Sequence, residues 1–568
     1  MPARAKWVIE DAPPESEVAE LAAGFGVAPI IVSLAMQRGY SDRDSLAQFF
    51  YPRLKDLTDP FLLPNMLAAV ARIADAVSVG ETILLYGDYD VDGVSSLALL
   101  KKLLRSYGVE ARTFLPQRTE EGYGLSREGL EKCLDEGETP TLVIAADCGT
   151  NSSAEADLLR ERGIDLIILD HHEPAEDGVA DCVAVVNPKL GDEYHYLCTG
   201  GVVFKVAHAL LKYRPNPAFD LRSHLDLVAL ATVADIVPLI GENRIFVRRG
   251  LTEIDRTANL GIHALKAVAG SGSPTRAHDI GFKLGPRLNA AGRLDTAEAS
   301  LELLLTDDPN LARTLASELD RRNRERQTLE QHTREEAESQ ILTLTNEERN
   351  SGIVVGARGW HPGVVGIVAS RIMKQYHRPT FVIGFDENGV GKGSGRSVPG
   401  LSLIGAINAC RDILEAGGGH DMAAGLSIRE ENLTAFRHRF SEHMLGVATN
   451  GELQPKLRIN AEMPFSQLTL ELLDSYEMLR PFGNSNPQPV FLSRQVQVLA
   501  EPRVLKERHL KLRLSQAGVI RDAMFFNGVD HELPRPPWDI AYTIDRNEFR
   551  GTVSVAISIQ GVRKAVGK

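Results

Sequence analysis

Residues 82–93 read Thr-Ile-Leu-Leu-Tyr-Gly-Asp-Tyr-Asp-Val-Asp-Gly, a short apolar run that ends in an acid-rich turn. Two later segments have the same form: 141–147 ends in Asp147, and 165–172 ends in Asp170-His171-His172. Amphipathic segments, such as 95–107 and 153–162, lie between these runs. Apolar runs that alternate with helical segments indicate buried parallel strands joined by helices. The sequence therefore predicts an α/β domain built on a doubly wound parallel sheet.

The acidic residues that follow these runs are expected to meet in space. In open α/β sheets the ligand crevice lies beyond the carboxyl ends of the strands, where Asp88, Asp147 and Asp170 fall. Asp235 is a lone acid in the apolar segment 231–238, and we expect it to point into the same crevice. Clustered carboxylates repel unless protons or cations neutralise them. So many aspartates with one or two histidines favour two divalent ions, Mn²⁺ or Mg²⁺ rather than zinc.

Taken singly, each aspartate has an ordinary explanation as a helix cap or turn former. The acid-rich turn also competes as a calcium loop, but position 12 counted from Asp88 is Leu99, not the bidentate Glu that such a loop needs. His172 is left open between direct metal contact and orientation of its neighbour or a phosphate. The combination at the strand ends, not any single residue, carries the prediction of a metal site.

Composition bounds the class of protein. With 568 residues the chain is predicted to hold two to four domains. No apolar run is long enough to span a bilayer and residues 1–10 lack an apolar signal core, so we expect a cytoplasmic protein with no membrane contact. Five cysteines without a CxxC pair argue against a disulfide framework or a structural zinc site. The net charge of −13 means that any nucleic-acid binding must rest on local clusters of Lys and Arg.

The sequence pattern changes at several points along the chain. A polar helix is predicted from Asp308, as its cap, and Pro309 to about Thr345. A glycine-rich α/β unit follows, and the last hundred or so residues alternate apolar and polar in short segments, typical of a small β-barrel. The predicted boundaries are 1–64 for an N-terminal element, 65–305 for the catalytic domain, 306–348 for the connector helix, 349–446 for the second α/β domain and 447–568 for an OB-like barrel.

The acid-rich turn, the strand-end Asp147, the Asp170-His171-His172 triplet and Asp235 together resemble the motifs of the DHH phosphoesterase superfamily, in the same order. The resemblance implies a two-metal site. Its metal ligands would be Asp88, Asp90, Asp92, Asp147, His171 and Asp235. Asp147 would bridge the metals and His172 would face the substrate phosphate, so that the implied catalytic set is Asp88, Asp147, His171 and His172.

The second α/β unit resembles the DHHA1 domain that accompanies DHH domains. Its cues are Gly359-Trp360-His361-Pro362-Gly363, Gly393-Ser394-Gly395-Arg396-Ser397 and Gly417-Gly418-Gly419-His420. Glycines let backbone N–H groups approach a phosphate closely, and an arginine can bind one bidentately. A glycine-rich loop alone could be a tight turn; with Arg396 and His420 in the same unit we expect substrate binding. The predicted substrate-binding residues here are Ser394, Arg396, Gly419 and His420.

Further segments resemble the branch of the superfamily that degrades single-stranded DNA from 5′ to 3′ to mononucleotides in repair and recombination. They contribute the predicted substrate contacts Arg118, Tyr123, Arg287, Asn289 and Arg293, and a long helix with Arg321, Arg322, Arg324 and Arg326. The C-terminal segment resembles that branch's OB domain, entered near 479–487, with Arg503, Lys506, Arg508 and Lys511 as predicted nucleic-acid contacts. Phe525 and Phe526 could stack bases, although core positions are the preferred interpretation.

The resemblance alone implies partners: a single-strand-binding protein and a RecQ-type helicase. We expect a monomer.

Two other functions share parts of this pattern. A DHH phosphodiesterase for small oligonucleotides or cyclic dinucleotides would have the metal site but no need of the basic helix or the barrel. A catalytically inactive single-strand-binding scaffold would have no reason to keep so many mutually repelling acids. The complete acidic set and the C-terminal basic run therefore favour a nuclease.

Overall fold

The computed structural model describes residues 5–117, 124–176, 178–294, 296–448, 453–549 and 551–565. They form two compact units. The larger unit comprises Trp7–Gly285, Leu301–Arg313 and Arg458–Lys568. The smaller unit comprises Met1–Lys6, Pro286–Ser300 and Thr314–Leu457. The larger unit thus combines the DHH-like region with the C-terminal segment, although these are distant in sequence.

The larger unit begins with a strand and a group of helices. They are β1 (Lys6–Ile9), α1 (Glu15–Phe25), α2 (Pro29–Met36), α3 (Arg43–Phe50) and α4 (Met66–Val79). Apolar side chains of α1, α2 and α3, among them Phe49 and Phe50, are buried in one core with Tyr476, Trp538 and Tyr542 of the C-terminal segment. The N-terminal element therefore shares a hydrophobic core with the C-terminal sheet.

A five-stranded, wholly parallel sheet follows. Its strands are β2 (Ile83–Gly87), β3 (Arg112–Phe114), β4 (Leu142–Ala146), β5 (Asp165–Leu169) and β6 (Ala184–Val186). The helices between and after them are α5 (Val91–Ser106), α6 (Arg127–Asp135), α7 (Ser153–Glu161) and α8 (Thr199–Tyr213). Helices α6 and α7 pack on one face of the sheet, and α4, α5 and α8 contact its strands from the other. The predicted doubly wound parallel sheet is confirmed.

The strand order is β3-β2-β4-β5-β6, so the direction of winding reverses between β2 and β4. Such a switch point opens a crevice at the carboxyl ends of the two strands, because their connecting chains leave in opposite directions. Asp88 follows β2 and Asp147 follows β4. The topology therefore places both residues at the crevice.

A helical region completes the larger unit and leads into the smaller one. It contains α9 (Leu225–Ala234), α10 (Gly241–Asp255), α11 (Leu260–Ala269), α12 (Ala277–Asp279), a π-helical turn (Ile280–Leu284), α13 (Gly285–Leu294), α14 (Glu298–Leu305) and α15 (Pro309–Thr343). The predicted polar helix is confirmed as α15, and the Asp308 carboxylate accepts a hydrogen bond from Asn310 N at 2.8 Å, as a cap does.

The smaller unit is a mixed five-stranded sheet with helices. Its elements are α16 (Asn346–Ser351), β7 (Ile353–Arg358), α17 (Pro362–Tyr376), β8 (Thr380–Phe385), β9 (Val390–Arg396), α18 (Leu403–Ala409), β10 (Ala416–Gly419), β11 (Ala423–Arg429) and α19 (Leu433–Val447). The order is β10-β11-β9-β8-β7, with β7 and β8 parallel and the other neighbours antiparallel.

The C-terminal segment is rich in strands. Its elements are β12 (Lys456–Ile459), β13 (Ala461–Glu462), α20 (Leu470–Tyr476), β14 (Phe491–Val498), β15 (Arg503–Leu505), β16 (His509–Gln516), β17 (Val519–Phe525), β18 (Trp538–Phe549) and β19 (Thr552–Lys564). Strand β14 pairs with both β18 and β16, so the hydrogen-bonded order β14-β16-β17-β19-β18 returns to its first strand. A fully closed barrel and the domain boundaries stay predictions.

Within the described ranges, no single helix is both long and apolar enough to cross a membrane. Two bent helix pairs, Glu15–Phe25 with Pro29–Met36 and Leu54–Leu62 with Met66–Val79, meet that test by length and composition only.

Helices α9 and α10 pack closely because Gly250 has no side chain. A Cβ at Gly250 would lie 2.2 Å from the Leu225 carbonyl oxygen and 2.4 Å from Ala229 Cβ. We expect Gly250→Ala to destabilise the protein by about 1–3 kcal/mol through overpacking, seen as a lower thermal unfolding temperature. Gly24→Ala is the matched control, since a Cβ at this helical glycine meets nothing within 4 Å. Equal unfolding temperatures for the two variants would contradict the close packing.

Candidate metal centre and nucleic-acid interface

The six predicted metal ligands converge at the carboxyl ends of the parallel strands. Three groups have potential ligand atoms that all lie within 4.8 Å of one another. The groups are Asp88 with Asp90 and Asp147, Asp92 with His171 and Asp235, and Asp147 with His171 and His172. Asp147 and His171 each belong to two groups. The arrangement therefore consists of adjoining donor sets that share residues, as a two-ion centre requires.

His171 lies at the middle of the cluster. Its Nε2 is 3.5 Å from Asp147 Oδ1, 3.6 Å from Asp235 Oδ2 and 3.8 Å from Asp92 Oδ2. These residues follow different elements: Asp147 follows β4, His171 follows β5, Asp92 is in the first turn of α5 and Asp235 caps the C-terminus of α9. Only the tertiary fold brings them within a few ångströms of each other.

Local backbone conformation orients several of these carboxylates within the cluster. Asp147 has a φ of +66°, a left-handed conformation that aspartate tolerates better than most residues. The Asp90 side chain caps α5 by accepting hydrogen bonds from the backbone N–H groups of Asp92 and Gly93, at 2.8 and 3.2 Å. Gly93 is required here because a Cβ would lie 2.4 Å from the Asp88 carbonyl oxygen. The acid-rich turn is thus folded tightly against the start of α5.

The N-terminus of α8 holds two of the carboxylates, and the sequence analysis did not identify it. Asp92 accepts hydrogen bonds from Thr199 N at 2.8 Å and Gly200 N at 2.7 Å. Thr199 Oγ1 donates to Asp147 Oδ1 at 2.9 Å. The partial positive charge of a helix N-terminus favours such anions. Thr199-Gly200-Gly201 carries no distinctive signal, because its role depends on where α8 begins in three dimensions.

The carboxylates destabilise one another's charged forms. Burial, followed by repulsion from Asp90, raises the pKa of Asp92 to about 7. Burial, followed by repulsion from Asp92, raises the pKa of Asp235 to about 8 and places the pKa of Asp147 well above its usual range. Burial and the neighbouring His172 lower the pKa of His171 to about 4, so His171 is neutral and adds no compensating charge. Oxygen donors with one neutral imidazole suit Mn²⁺ or Mg²⁺, and the residues present fit a pair of such ions.

Asp170 positions the two histidines. Its Oδ1 accepts from His171 N at 2.7 Å and lies 2.7 Å from His172 Nδ1, while its Oδ2 accepts from Thr150 Oγ1 at 2.6 Å. Burial opposes the charge of Asp170, but the hydrogen bonds with His172 and Thr150 and the nearby charge of the histidines together outweigh it and hold the pKa below its usual range. Burial likewise opposes the charge of His172, yet its bond with Asp170 and the surrounding carboxylates together raise the pKa to about 9. His172 therefore carries a positive charge at the half-exposed side of the cluster.

Helix α13 carries three of the predicted substrate contacts. Arg287 Nε donates to Asp320 Oδ1 at 2.9 Å, so this guanidinium is partly neutralised by an acid of α15. Arg293 Nη1 donates to the Gly363 carbonyl at 3.3 Å, and Asn289 is half-buried. Their role as phosphate contacts stays a prediction. Arg118 and Tyr123 lie outside the described residues.

The predicted contacts of the smaller unit meet at one end of its sheet. Arg396 is opposite Ala423 in the β9–β11 pairing, and Gly419 is opposite Ala424 in the β10–β11 pairing. Arg396 Nη1 donates to Ser394 Oγ at 3.0 Å, while Gly419 and His420 are exposed. Gly419 has a φ of +133°, and a Cβ there would lie 2.6 Å from the Ala423 carbonyl oxygen. The sheet end thus joins a cation to an exposed backbone hairpin, an arrangement suited to an anion.

The basic run of α15 is less available than the sequence suggests. Each of its four arginines is paired within the helix: Arg321 with Glu325, Arg322 with Glu318, Arg324 with Asp320 and Arg326 with Glu330. The partners in each pair are four residues apart, where helical side chains are neighbours. The carboxylates therefore offset much of the positive charge of this run.

The predicted contacts of the C-terminal segment lie on one exposed hairpin, the basic hairpin, formed by β15 and β16. Arg503 and Lys511 are directly opposite each other, and Lys506 and Arg508 lie in the connecting turn. Lys511 also lies 3.3 Å from Asp522 Oδ2. Of the two candidate stacking residues, Phe525 is 4% exposed and belongs to the core, whereas Phe526 is 56% exposed and packs edge-on against His509. The hairpin therefore offers positive charge beside an exposed aromatic ring.

Three family models match the chain. They are the DHH family, N-terminal domain, over residues 82–232, the DHHA1 domain over 350–445, and the RecJ OB domain over 459–561. Together they cover the parallel sheet with the acidic cluster except Asp235, the sheet of the smaller unit and most of the C-terminal sheet.

Curated relatives match most of the chain. The single-stranded-DNA-specific exonuclease RecJ of Dickeya dadantii is 36% identical over 558 residues, covering 93% of this chain and 94% of that protein. The protein of the same name from Bacillus subtilis is 35% identical over 529 residues, covering 92% of this chain but 66% of the longer relative. Among solved structures, RecJ in complex with Mn²⁺ from Thermus thermophilus matches with a TM-score of 0.84 at 29% identity, covering 99% of this chain and 80% of that one.

We expect Asp147→Asn to abolish tight Mn²⁺ binding and to raise the unfolding temperature of the chelated, metal-free protein. The reason is that Asp147 is common to two donor groups and that its carboxylate is both buried and repelled by the neighbouring aspartates. Asparagine keeps the left-handed conformation and the oxygen that Thr199 binds. Thermal unfolding with and without Mn²⁺ measures both effects, with the exposed Asp157→Asn as control. If Mn²⁺ raised the unfolding temperature of Asp147→Asn as much as that of the wild-type protein, Asp147 would be excluded as a ligand.

Proposed function

This chain belongs to the RecJ exonuclease family, and we propose that it hydrolyses phosphodiester bonds of single-stranded DNA from one end in a metal-dependent reaction. The observation that carries the proposal is the set of donor groups that share Asp147 and His171, in a chain that also contains the sheet end with Arg396 and a basic hairpin. A phosphodiesterase for small substrates would have no use for the basic hairpin.

Asp88, Asp90, Asp92, Asp147, His171 and Asp235 are the residues proposed to hold two divalent ions, Mn²⁺ or Mg²⁺. When bound, such ions supply the positive charge and Lewis acidity for in-line displacement at phosphorus. The carboxylates favour this charge, because burial and then mutual repulsion raise their pKa values, and a bound cation compensates both.

The chain's own cations are proposed to hold the substrate. His172 is held by Asp170 and carries a positive charge that can face the scissile phosphate. Arg396, Ser394, Gly419 and His420 are proposed to bind a terminal or adjacent phosphate, with Arg118, Tyr123, Arg287, Asn289 and Arg293 as further contacts. The basic hairpin is proposed to follow the backbone of the single strand, with Phe526 beside it as a stacking surface.

Several finer points of the proposal rest on the family resemblance alone. They are the 5′-to-3′ polarity, mononucleotide products, and association with a single-strand-binding protein or a RecQ-type helicase. A monomeric protein is proposed because the predicted multidomain layout would already supply a groove for the strand. A cytoplasmic location stays a prediction.

We expect stepwise release of mononucleotides from the 5′ end of single-stranded DNA in the presence of Mn²⁺, and none from matched blunt duplex. The measurement uses both substrates labelled at either end, beside a dinucleotide and pyrophosphate. Asp147→Ala should abolish cleavage and leave single-strand binding, measured by fluorescence anisotropy without metal, largely intact. Activity confined to the small substrates would reassign the protein to a small-substrate phosphodiesterase. Retained cleavage by Asp147→Ala would reject the metal mechanism.

We expect Arg396→Ala to raise the KM for single-stranded DNA about tenfold or more, because a charge-assisted contact with phosphate is worth about 1.5–3 kcal/mol. Arg429→Ala is the matched control, since Arg429 lies on the neighbouring strand β11 and pairs with Glu415 at the surface. Steady-state kinetics over a range of DNA concentrations separates KM from kcat. A KM equal to that of the control would remove Arg396 from the substrate site.

A further inference from the structure

A turn that precedes the C-terminal sheet contacts the chain immediately after Asp235. This turn, residues 481–487, is called the clamp turn. Asn484 Nδ2 donates to the Ile236 carbonyl oxygen at 2.7 Å, and Leu239 N donates to the Asn484 carbonyl oxygen at 2.9 Å. Asn484 therefore bonds to both ends of the segment 236–239, through its side chain at Ile236 and through its backbone at Leu239. Both segments belong to the larger unit.

Ile236 is held in a conformation that its side chain disfavours. Its φ is +61°, in the left-handed region, where β-branched residues are rare. Helices commonly end with one left-handed residue, but that residue is usually glycine. The Ile236 side chain is 70% exposed, so burial does not compensate the strain. The contacts of the backbone are what hold it, and Asn484 supplies the bond to the Ile236 carbonyl.

The conformation of Ile236 bears on the metal centre because the preceding residue is a ligand candidate. Asp235 is the C-cap of α9, with its N–H bonded to the Ala231 carbonyl at 3.0 Å. Its carboxylate lies 3.6 Å from His171 Nε2. If Ile236 relaxed to a right-handed or extended conformation, the end of α9 would reorient, and the Asp235 carboxylate would move relative to His171 and Asp92.

The clamp turn is itself rigidly built. Asn486 is buried, and its Nδ2 donates to the carbonyls of Leu479 and Pro481 at 2.8 and 2.7 Å. Arg38 Nε donates to Asn486 Oδ1 at 2.8 Å, and Gly483 and Asn486 exchange two backbone hydrogen bonds. These bonds fix the conformation of the turn in which Asn484 contacts Ile236.

We propose that Asn484 is a positioning residue of the metal centre: it holds Ile236 in its left-handed conformation and thereby fixes Asp235 as a ligand. The inference rests on the proposed metal-dependent function and adds a role for the clamp turn that the reaction itself does not require. Since strand β14 begins at Phe491, shortly after the turn, the segment that leads into the nucleic-acid-binding sheet also orients a metal ligand.

The test compares Mn²⁺ binding by full-length variants without DNA. Free Mn²⁺ is measured by electron paramagnetic resonance during titration, and thermal unfolding verifies folding. We expect Asn484→Ala to weaken Mn²⁺ binding about tenfold, the smaller of the losses typical when a group supporting a ligand is removed. Asn484 is exposed, so folding should tolerate the change. Asn484→Asp keeps the size of the side chain but loses its hydrogen-bond donor, so it should weaken Mn²⁺ binding by a similar factor. Asn547→Ala is the control, an exposed asparagine bonded to Ser554 in the β18–β19 hairpin.

A second pair of variants tests the route through Ile236. Glycine adopts the left-handed conformation at no steric cost, so Ile236→Gly should keep Mn²⁺ binding within about twofold of wild type. In that background Asn484→Ala should cost about threefold or less, a non-additive result. Mn²⁺ binding by Asn484→Ala and Asn484→Asp equal to that of Asn547→Ala would overturn the inference. The inference would also be overturned if Asn484→Ala weakened Mn²⁺ binding as much in the Ile236→Gly background as it does in the wild-type protein. A wild-type protein that binds Mn²⁺ but fails to degrade DNA would overturn the proposed function instead.

Discussion

The mutual repulsion of buried carboxylates at the switch point of the parallel sheet is the constraint on which the rest of the structure depends. Asp92, Asp147 and Asp235 surround a neutral His171, and local structure holds each of them against the repulsion. The N-terminus of α8 holds Asp92, the left-handed backbone and Thr199 hold Asp147, and the end of α9 presents Asp235. Repulsion between these carboxylates therefore destabilises the metal-free fold, and bound divalent cations relieve it.

The distribution of positive charge along the chain matters more for substrate binding than the net negative charge of the protein. The arginines of α15 are matched by carboxylates one helical turn away, which makes the helix soluble and rigid more than basic. Further cations lie on the basic hairpin, where Arg503, Lys506, Arg508 and Lys511 are exposed, and at the sheet end, where Arg396 is half-buried. A net charge of −13 is therefore compatible with an anionic substrate, because much of the negative charge is used in the metal centre and in local pairs.

The larger unit joins segments from both ends of the chain. Helices α1–α3 and the C-terminal sheet share one hydrophobic core, and the buried Arg244 of α10 donates hydrogen bonds to carbonyls of Phe49, Met478 and Leu479. A buried guanidinium is costly unless its donors are used, so these bonds tie α10, α3 and the segment before the clamp turn together. The surroundings of Asp235 are consequently set by residues more than two hundred positions away in sequence.

The sequence by itself determined the parallel strands and the polar helix, because these depend on local apolar periodicity and helix caps, whereas the ligand candidates were implied by the resemblance to the DHH motifs. Ile83–Gly87, Leu142–Ala146 and Pro309–Thr343 lie within one or two residues of their predicted bounds. Only the tertiary structure decided which acids share a donor group, that Thr199 and Gly200 support them, that Phe526 rather than Phe525 is exposed, and that Asn484 contacts Ile236. Those relations depend on contacts between distant segments, and no local pattern of residue types encodes them.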